Sequence, residues 1–251
     1  MALCAVIGFA VPVALAWWMA KRFKNSLYTI LVGAGVFIVF AILLEPILHQ
    51  LVLKGPYGPV ITGNTLYYAL YGGLAAGLFE ETGRFLGMKY LLKKKSPKAR
   101  TGIAYGIGHG GMEMLLIFGA AMISNLVLSV MINNGQADTL LATAPETARE
   151  QVQAQFTQLQ TNGFSNYLFG IWERLSALIL QIGLSIIVWT GVCKGGKWLW
   201  LFPAAIFVHF AVDASCVLLV KSVSMAVVEI FVSAFAIAVG AAGFMLAKTS
   251  A

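Results

Sequence analysis

Ionisable residues lie inside long apolar stretches of this sequence, where such residues are costly and rare. Seven of the ten acidic residues and all three histidines are placed in this way. They are Glu45, Glu80, Glu81, Glu113, Glu173, Asp213 and Glu229, together with His49, His109 and His209. A charged side chain at the middle of a membrane helix costs about 2.5–3.5 kcal/mol on insertion scales. These residues are therefore expected to face a bundle interior or a water-filled cavity.

Three short motifs place pairs of these residues on common helix faces. They are Glu80-Glu81-x-x-Arg84, His109-x-x-x-Glu113 and His209-x-x-x-Asp213. Side chains three or four residues apart are neighbours on a helix, so Arg84 can pair with either glutamate. Counted at about 1.5 Å per residue from the basic end of each apolar stretch, these groups and Gln181 lie about 12 to 20 Å deep. Four separate helices are thus predicted to deliver polar groups to one layer of the membrane.

The residue types in this layer are those of a hydrolytic site. A glutamate can take a proton from water while the water attacks a carbonyl, and Arg84 can keep one glutamate ionised for that role. Histidines, protonated or metal-bound, can stabilise the oxyanion that develops. Two histidines with one or two carboxylates also suit Zn²⁺, for which the candidate ligands are His109, His209 and Glu113. The HExxH zinc signature is absent from the sequence, so both mechanisms stay open.

Membrane-spanning helices must position these groups. The chain of 251 residues is 59% hydrophobic and 11% charged, and its mean hydropathy is +0.84. A soluble domain would have roughly 25% charged residues. We predict an all-α bundle of about seven transmembrane helices that forms a single domain over 1–251, because a lone span in lipid must satisfy its own backbone hydrogen bonds. The predicted spans are 2–20, 27–53, 65–92, 101–131, 166–193, 199–220 and 223–247.

Basic residues sort the predicted loops onto two sides. The clusters Lys21/Arg22/Lys24, Lys93/Lys94/Lys95/Lys98/Arg100, Lys194/Lys197 and Lys248 fall on one side. The other side has Lys54, Lys221 and the hydrophilic segment 132–165. Under the positive-inside bias, the N-terminus is outside, the C-terminus is inside, and we expect the site to open toward the inner half.

The segment 132–165 is predicted to form an extracytoplasmic loop with an amphipathic helix. Pro145 can open such a helix, and Ala148, Val152 and Phe156 recur at every fourth residue. This helix would either lie on the outer leaflet or act as a lid or substrate gate.

Charge and cysteine content exclude two other classes of protein. The net charge of +7 does not indicate a nucleic-acid-binding protein, because Lys and Arg cluster in short loops between spans. The three cysteines are odd in number and form no CxxC, which argues against a disulfide framework or a thiolate zinc site. The first span precedes its basic residues, the reverse of a secretory signal, so we expect it to be retained.

The order of the motifs resembles a known family. Glu80-Glu81-Thr82-Gly83-Arg84, His109-Gly110-Gly111-Met112-Glu113 and His209-Phe210-Ala211-Val212-Asp213 are similar to motifs of the YhfC-like family of intramembrane proteases. That family is distantly related to the CAAX-processing and bacteriocin-immunity (ABI/CPBP) membrane peptidases. The resemblance extends from the third to the sixth span, and the three motifs in this order are much more specific than EExxR alone.

The resemblance implies an enzyme that cleaves peptide bonds in membrane-embedded peptide or protein substrates. It also implies that this enzyme is a multi-pass protein of a bacterial cytoplasmic membrane. Glu80 or Glu81 would be the base. His109 and His209 would be electrophilic helpers or ligands of a metal such as zinc.

The remaining polar residues of the layer would support this chemistry. Glu113 and Asp213 would orient a histidine or take part directly, and Asp213 stands where the wider clan often has Asn. Gln181 stands where relatives often carry His, a departure that removes a proton carrier or ligand. Glu173 and Arg174 lie nearer the outer face, as a structural or gating pair.

Two rival functions follow from the same residues. Intramembrane carboxylates and histidines also form proton relays, so one rival is a proton-coupled transporter. The other is a catalytically inactive membrane binding or immunity protein. A carrier should tolerate conservative changes at Arg84, whereas a protease should lose turnover and keep its fold when Glu80 or Glu81 becomes Gln.

Overall fold

The chain is a bundle of helices. The computed structural model describes residues 1–92 and 98–248, and no strand occurs in these two ranges, which confirms the all-α prediction. The helices are α1 (Ala2–Arg22), α2 (Ser26–Leu53), α3 (Gly58–Thr62), α4 (Thr65–Leu86), α5 (Ala99–Asn133), α6 (Ala137–Thr143), α7 (Arg149–Thr161), α8 (Phe164–Lys194), α9 (Leu201–Leu219) and α10 (Met225–Lys248). Lys93, Lys94 and Lys95, which belong to one of the predicted basic loops, lie outside the described residues.

Six of the described helical segments are long and apolar enough to cross a membrane. They are Ala2–Arg22, Ser26–Leu53, Ala99–Asn133, Phe164–Lys194, Gly196–Leu219 and Met225–Lys248. The third predicted span, 65–92, is also a long helix, since α4 continues as a π-helical segment over Gly87–Leu91. Glu80, Glu81 and Arg84 lower its hydropathy. The number of seven crossings and the orientation remain predictions.

Two helices contain π-helical segments directly next to a glutamate of the site. In α2 the segment is Ile38–Leu44 and ends directly before Glu45, while in α5 it is Met114–Ala120 and begins directly after Glu113. Pro46 accounts for the first of these, because it has no N–H to continue the α-helical hydrogen-bond pattern. Wider turns of this kind occur frequently at functional sites, because they shift the side chains on either side relative to one another.

The most buried span is α8, which lies at the centre of the bundle. Of its most apolar 18 residues, 72% are inside the bundle, against 11–39% for the other candidate spans. Glycines let neighbours approach it, because a Cβ at Gly106 of α5 would lie 2.5 Å from the Cα of Ile182. Between α4 and α9, a Cβ at Gly73 would lie 2.8 Å from the carbonyl oxygen of Phe210. Close approach at these glycines brings the polar residues of α4, α5, α8 and α9 within reach of one another.

The segment 132–165 contains two helices, α6 and α7. A 3₁₀ turn over Glu146–Ala148 follows Pro145, and α7 then ends at Thr161, directly before Asn162. Phe156 is buried, and Gln155 donates a hydrogen bond to Asn125 of α5 at 3.0 Å. These contacts hold α7 against the bundle.

Candidate functional site

Glu80 lies at the centre of the polar layer. Its Oε2 is 2.8 Å from Nε2 of His109 and accepts a hydrogen bond from Nε2 of Gln181 at 2.9 Å. In the part of the chain that the structure describes, hydrogen bonds reach only this oxygen of the carboxylate. Its Oε1 is therefore the oxygen left for a water molecule or a substrate.

The Gln181 side chain joins three other members of the layer. Its amide nitrogen donates to Glu80 and, at 2.8 Å, to Oε2 of Glu113. Its amide oxygen accepts a hydrogen bond from the guanidinium of Arg84. Gln181, which the sequence analysis predicted to be a supporting residue, thus bridges two carboxylates and a cation at the centre of the layer.

Glu81 has different direct partners from Glu80, and Arg84 and Gln181 connect the two carboxylates. Arg84 Nη1 lies 3.3 Å from Glu81 Oε1, and His209 Nδ1 lies 2.9 Å from the same oxygen. Glu81 and Arg84 are fully buried. The other imidazole nitrogen of His209 lies 3.5 Å from Oδ2 of Asp213. Glu81 therefore holds Arg84 and His209 in place, and the sequence could not separate this role from that of Glu80.

Glu113 is part of a third group of charges. Its Oε1 accepts a hydrogen bond from Nη1 of Arg174 at 3.2 Å, and Arg174 also pairs with Glu173. This pairing ties the predicted pair Glu173-Arg174 to the polar layer through Glu113.

A cavity of about 480 Å³ gives access to the layer. It is lined, among others, by Glu45, His49, Glu80, Glu113, Glu173, Arg174, Gln181, His209, Asp213 and Cys216. The described lining thus has five carboxylates and one guanidinium, so the cavity attracts protons and cations. His109 and Glu81 are fully buried and do not line it.

The cavity extends toward the end of the bundle that holds the segment 132–165. The lining residues Glu45, Glu173 and Cys216 lie toward this end of their helices. In the predicted orientation this end is the outer one. The expectation of a site that opens toward the inner half stays a prediction, as does the orientation itself.

The structure adds to the site residues that were not predicted to belong to it from the sequence. Glu45 and His49 form a local pair at 3.2 Å, and both line the cavity. Nδ1 of His49 is 2.8 Å from the hydroxyl oxygen of Tyr71, and Cys216 lies one helical turn beyond Asp213. The signal for Glu45 was its four-residue spacing from His49, the same spacing as in the other two motifs.

The side chains of the site do not fit a metal ion as they are arranged. Their types suit zinc, but in residues 1–92 and 98–248 no three His, Cys, Asp or Glu side chains are grouped so that they could hold a metal ion. The predicted ligands His109, His209 and Glu113 do not converge. Nε2 of His109 faces Glu80, both nitrogens of His209 face carboxylates, and Glu113 faces Gln181 and Arg174. The Gln181 amide, a hydrogen-bond donor, lies between Glu80 and Glu113.

Comparison with known proteins identifies the family. Residues 7–232 match the family described as YhfC intramembrane metalloprotease, which spans all four helices of the polar layer. The chain belongs to this family. A Bacillus subtilis (strain 168) protein described as an uncharacterized membrane protein, YhfC, is 36% identical over 239 residues, which are 94% of this chain and 91% of the relative. No solved structure matches.

Family membership confirms the resemblance read from the three motifs. Together with the apolar helices, it shows a multi-pass membrane protein of a family described as metalloproteases. The family description names a metal, whereas the described side chains are joined by hydrogen bonds to one another.

Proposed function

We propose that this protein is an intramembrane endopeptidase that hydrolyses peptide bonds of membrane-embedded substrates, with Glu80 as the base. The observation that carries the proposal is the position of Glu80, which lines the cavity with one oxygen held by His109 and Gln181 and the other left for water. A base held in one orientation within reach of a bound water is what general base catalysis requires.

Glu80 takes a proton from the water as the water oxygen bonds to the substrate carbonyl carbon. The protonated Glu80 then gives this proton to the amide nitrogen as the carbon–nitrogen bond breaks, which restores the carboxylate. His109 contacts Glu80 but is fully buried and does not line the cavity. It is therefore a positioning residue that does not contact the substrate.

His209 is suited to stabilise the oxyanion. It lines the cavity, and its Nδ1 is held at 2.9 Å from Glu81, which is itself fixed by Arg84. Because Glu81 holds Nδ1 and Nε2 lies 3.5 Å from Oδ2 of Asp213, a proton on Nε2 would be a donor for an oxygen that gains negative charge.

The family description implies a metal, and zinc suits the residue types of this site. His and carboxylate groups are its usual ligands, and both are present in the layer. None of the steps above is assigned to it, because the side chains do not converge on one point.

The main test is cleavage by the Glu80→Gln variant. The purified protein is reconstituted in liposomes with a mixture of tagged single-span peptides, and products are identified by mass spectrometry. Glu229→Gln is the matched control, because Glu229 is also a buried carboxylate in a membrane helix but does not line the catalytic cavity.

We expect Glu80→Gln to retain its fold and to lose cleavage by at least 10²-fold, the contribution typical of a general base, while Glu229→Gln keeps it. Cleavage that survives in Glu80→Gln would refute the assignment of the base. Absence of cleavage in the unmodified protein with every peptide would favour the inactive binding protein.

A proton-coupled transporter is the second candidate function. Tyr71 contacts His49, and His49 pairs with Glu45. His49 and Glu45 line the cavity together with His209 and Asp213. Such chains of ionisable groups carry protons in pumps and transporters. Proton uptake into liposomes that depends on Glu45, without any cleavage, would support this function.

A further inference from the structure

A second cavity lies at the end of the bundle that holds the start of α2 and the end of α8, opposite Glu45 and Glu173. Its volume is about 560 Å³. The first turns of α2 and α5 and the last turns of α8 line it, with residues that include Lys24, Tyr28, Lys98, Arg100, Thr101 and Trp189. None of its described lining residues is a carboxylate. In the predicted orientation this end faces the cytoplasm.

Among the described residues, the cations of this cavity have no anionic partner. In the described ranges, no carboxylate lies within 4.0 Å of the charged groups of Lys24, Lys98 or Arg100. The Arg100 guanidinium lies 5.0 Å from the centre of the Phe23 ring, a contact that leaves its N–H groups free to donate. Three cations without counter-charges around one cavity favour an anion.

Backbone N–H groups add to the positive potential. Two long helices begin at this cavity, α2 at Ser26 and α5 at Ala99, and neither has a side-chain cap. Backbone carbonyls accept from two of the first-turn N–H groups, those of Ser26 and Thr101, and the other first-turn N–H groups lack such a partner among the described residues. These remaining N–H groups and the helix dipole both favour an anion at a helix N-terminus.

The indole N–H of Trp189 is an independent indication that this cavity binds a ligand. Trp189 lines the cavity and is 2% exposed, and its Nε1–H has no hydrogen-bond partner among the described residues. A buried donor of this kind costs about 1–3 kcal/mol unless it is paired. An acceptor atom of a ligand in the cavity would pair it.

We propose that this cavity binds a phosphate group, with Lys24, Lys98 and Arg100 as its cations and the Trp189 N–H as a buried donor. Phosphate offers several acceptor oxygens and negative charge, which match the separate donors around the cavity. The phosphate belongs either to an anionic phospholipid headgroup or to a soluble molecule. Leu91 and Leu92, which also line the cavity, place apolar surface next to the cations, as an acyl chain would require.

Lipid and phosphate binding to matched variants tests this site. The triple variant Lys24→Gln/Lys98→Gln/Arg100→Gln removes the cations of the cavity. The control triple variant Lys21→Gln/Lys194→Gln/Lys197→Gln removes the same number of charges from residues that do not line it. Native mass spectrometry measures binding of phosphatidylglycerol against phosphatidylcholine, and calorimetry measures binding of inorganic phosphate in neutral detergent. Circular dichroism confirms that both variants are folded.

We expect phosphatidylglycerol to bind more tightly than phosphatidylcholine, with a loss of about fivefold per cation in the first variant and no more than about threefold in the control. Trp189→Phe should weaken binding several-fold while it keeps the aromatic packing.

Inorganic phosphate bound by the unmodified protein and lost in the first variant, without a lipid preference, would assign a soluble phosphate. Equal losses in both triple variants, or neither ligand bound, would overturn the proposal. No outcome depends on peptide cleavage, so the proposed function is tested separately.

Discussion

The buried ion pair of Glu81 and Arg84 is predicted to make a large contribution to stability. The two side chains are fully buried, with Arg84 Nη1 at 3.3 Å from Glu81 Oε1. At an effective dielectric constant of about 20, two unit charges at this separation attract by about 5 kcal/mol. Removal of one partner from a buried pair typically costs 3–5 kcal/mol, because the other charge stays buried without compensation.

We therefore expect Arg84→Met to lower the free energy of unfolding by about 3 kcal/mol or more. The lower end applies because His209, at 2.9 Å from the same Glu81 oxygen, retains part of the compensation. The assay is unfolding by sodium dodecyl sulfate in mixed micelles, followed by the fluorescence of the six tryptophans.

The double variant Arg84→Met/Glu81→Gln distinguishes this reasoning from a loss of packing. Glu81→Gln removes the uncompensated charge, so the double variant should be more stable than Arg84→Met alone. If the double variant is as unstable as the single one, the charge of Glu81 is not the cause and the reasoning is refuted. A loss below about 1 kcal/mol in Arg84→Met would mean that water reaches the pair.

Three further predictions test the packing and the site. Gly106→Ala should destabilise the bundle by about 1–3 kcal/mol in the same unfolding assay, because its Cβ would meet the Cα of Ile182 at 2.5 Å, whereas Gly35→Ala, with open space around it, should not. Gln181→His should raise the zinc content measured by plasma mass spectrometry, because it replaces a bridging amide by an imidazole ligand; unchanged zinc would show that this position does not control metal binding. Asp213→Asn should keep cleavage within about tenfold, because Asn retains an acceptor for His209; a loss as large as that of Glu80→Gln would make Asp213 a catalytic residue.

Several features of the site follow from the chain itself. The pairs His109/Glu113 and His209/Asp213 share helix faces because four residues make about one turn, whatever surrounds the helix. The sequence thus indicated the helices, the polar layer and the family, and the family match over residues 7–232 confirmed the last of these.

The roles within the layer needed the tertiary structure. Glu80 and Glu81 are neighbours in sequence, and their side chains diverge by about 100° around α4, so the rotation of that helix decides which one meets the cavity. Packing sets this rotation, through close contacts such as that of Gly73 with Phe210. Sequence spacing contains no information about it.

The same reason explains the direction of the cavity and the inclusion of Glu45. Residue counts along each helix place a group at a depth, but the separation of the helices at one end depends on contacts between residues distant in sequence. Glu45 joins Glu80 and His209 around one cavity although 35 or more residues separate it from either. The sequence by itself determined which ionisable groups lie within long apolar helices. Only the packing of the helices decided which of them share a cavity, because packing alone fixes how each helix is turned toward its neighbours.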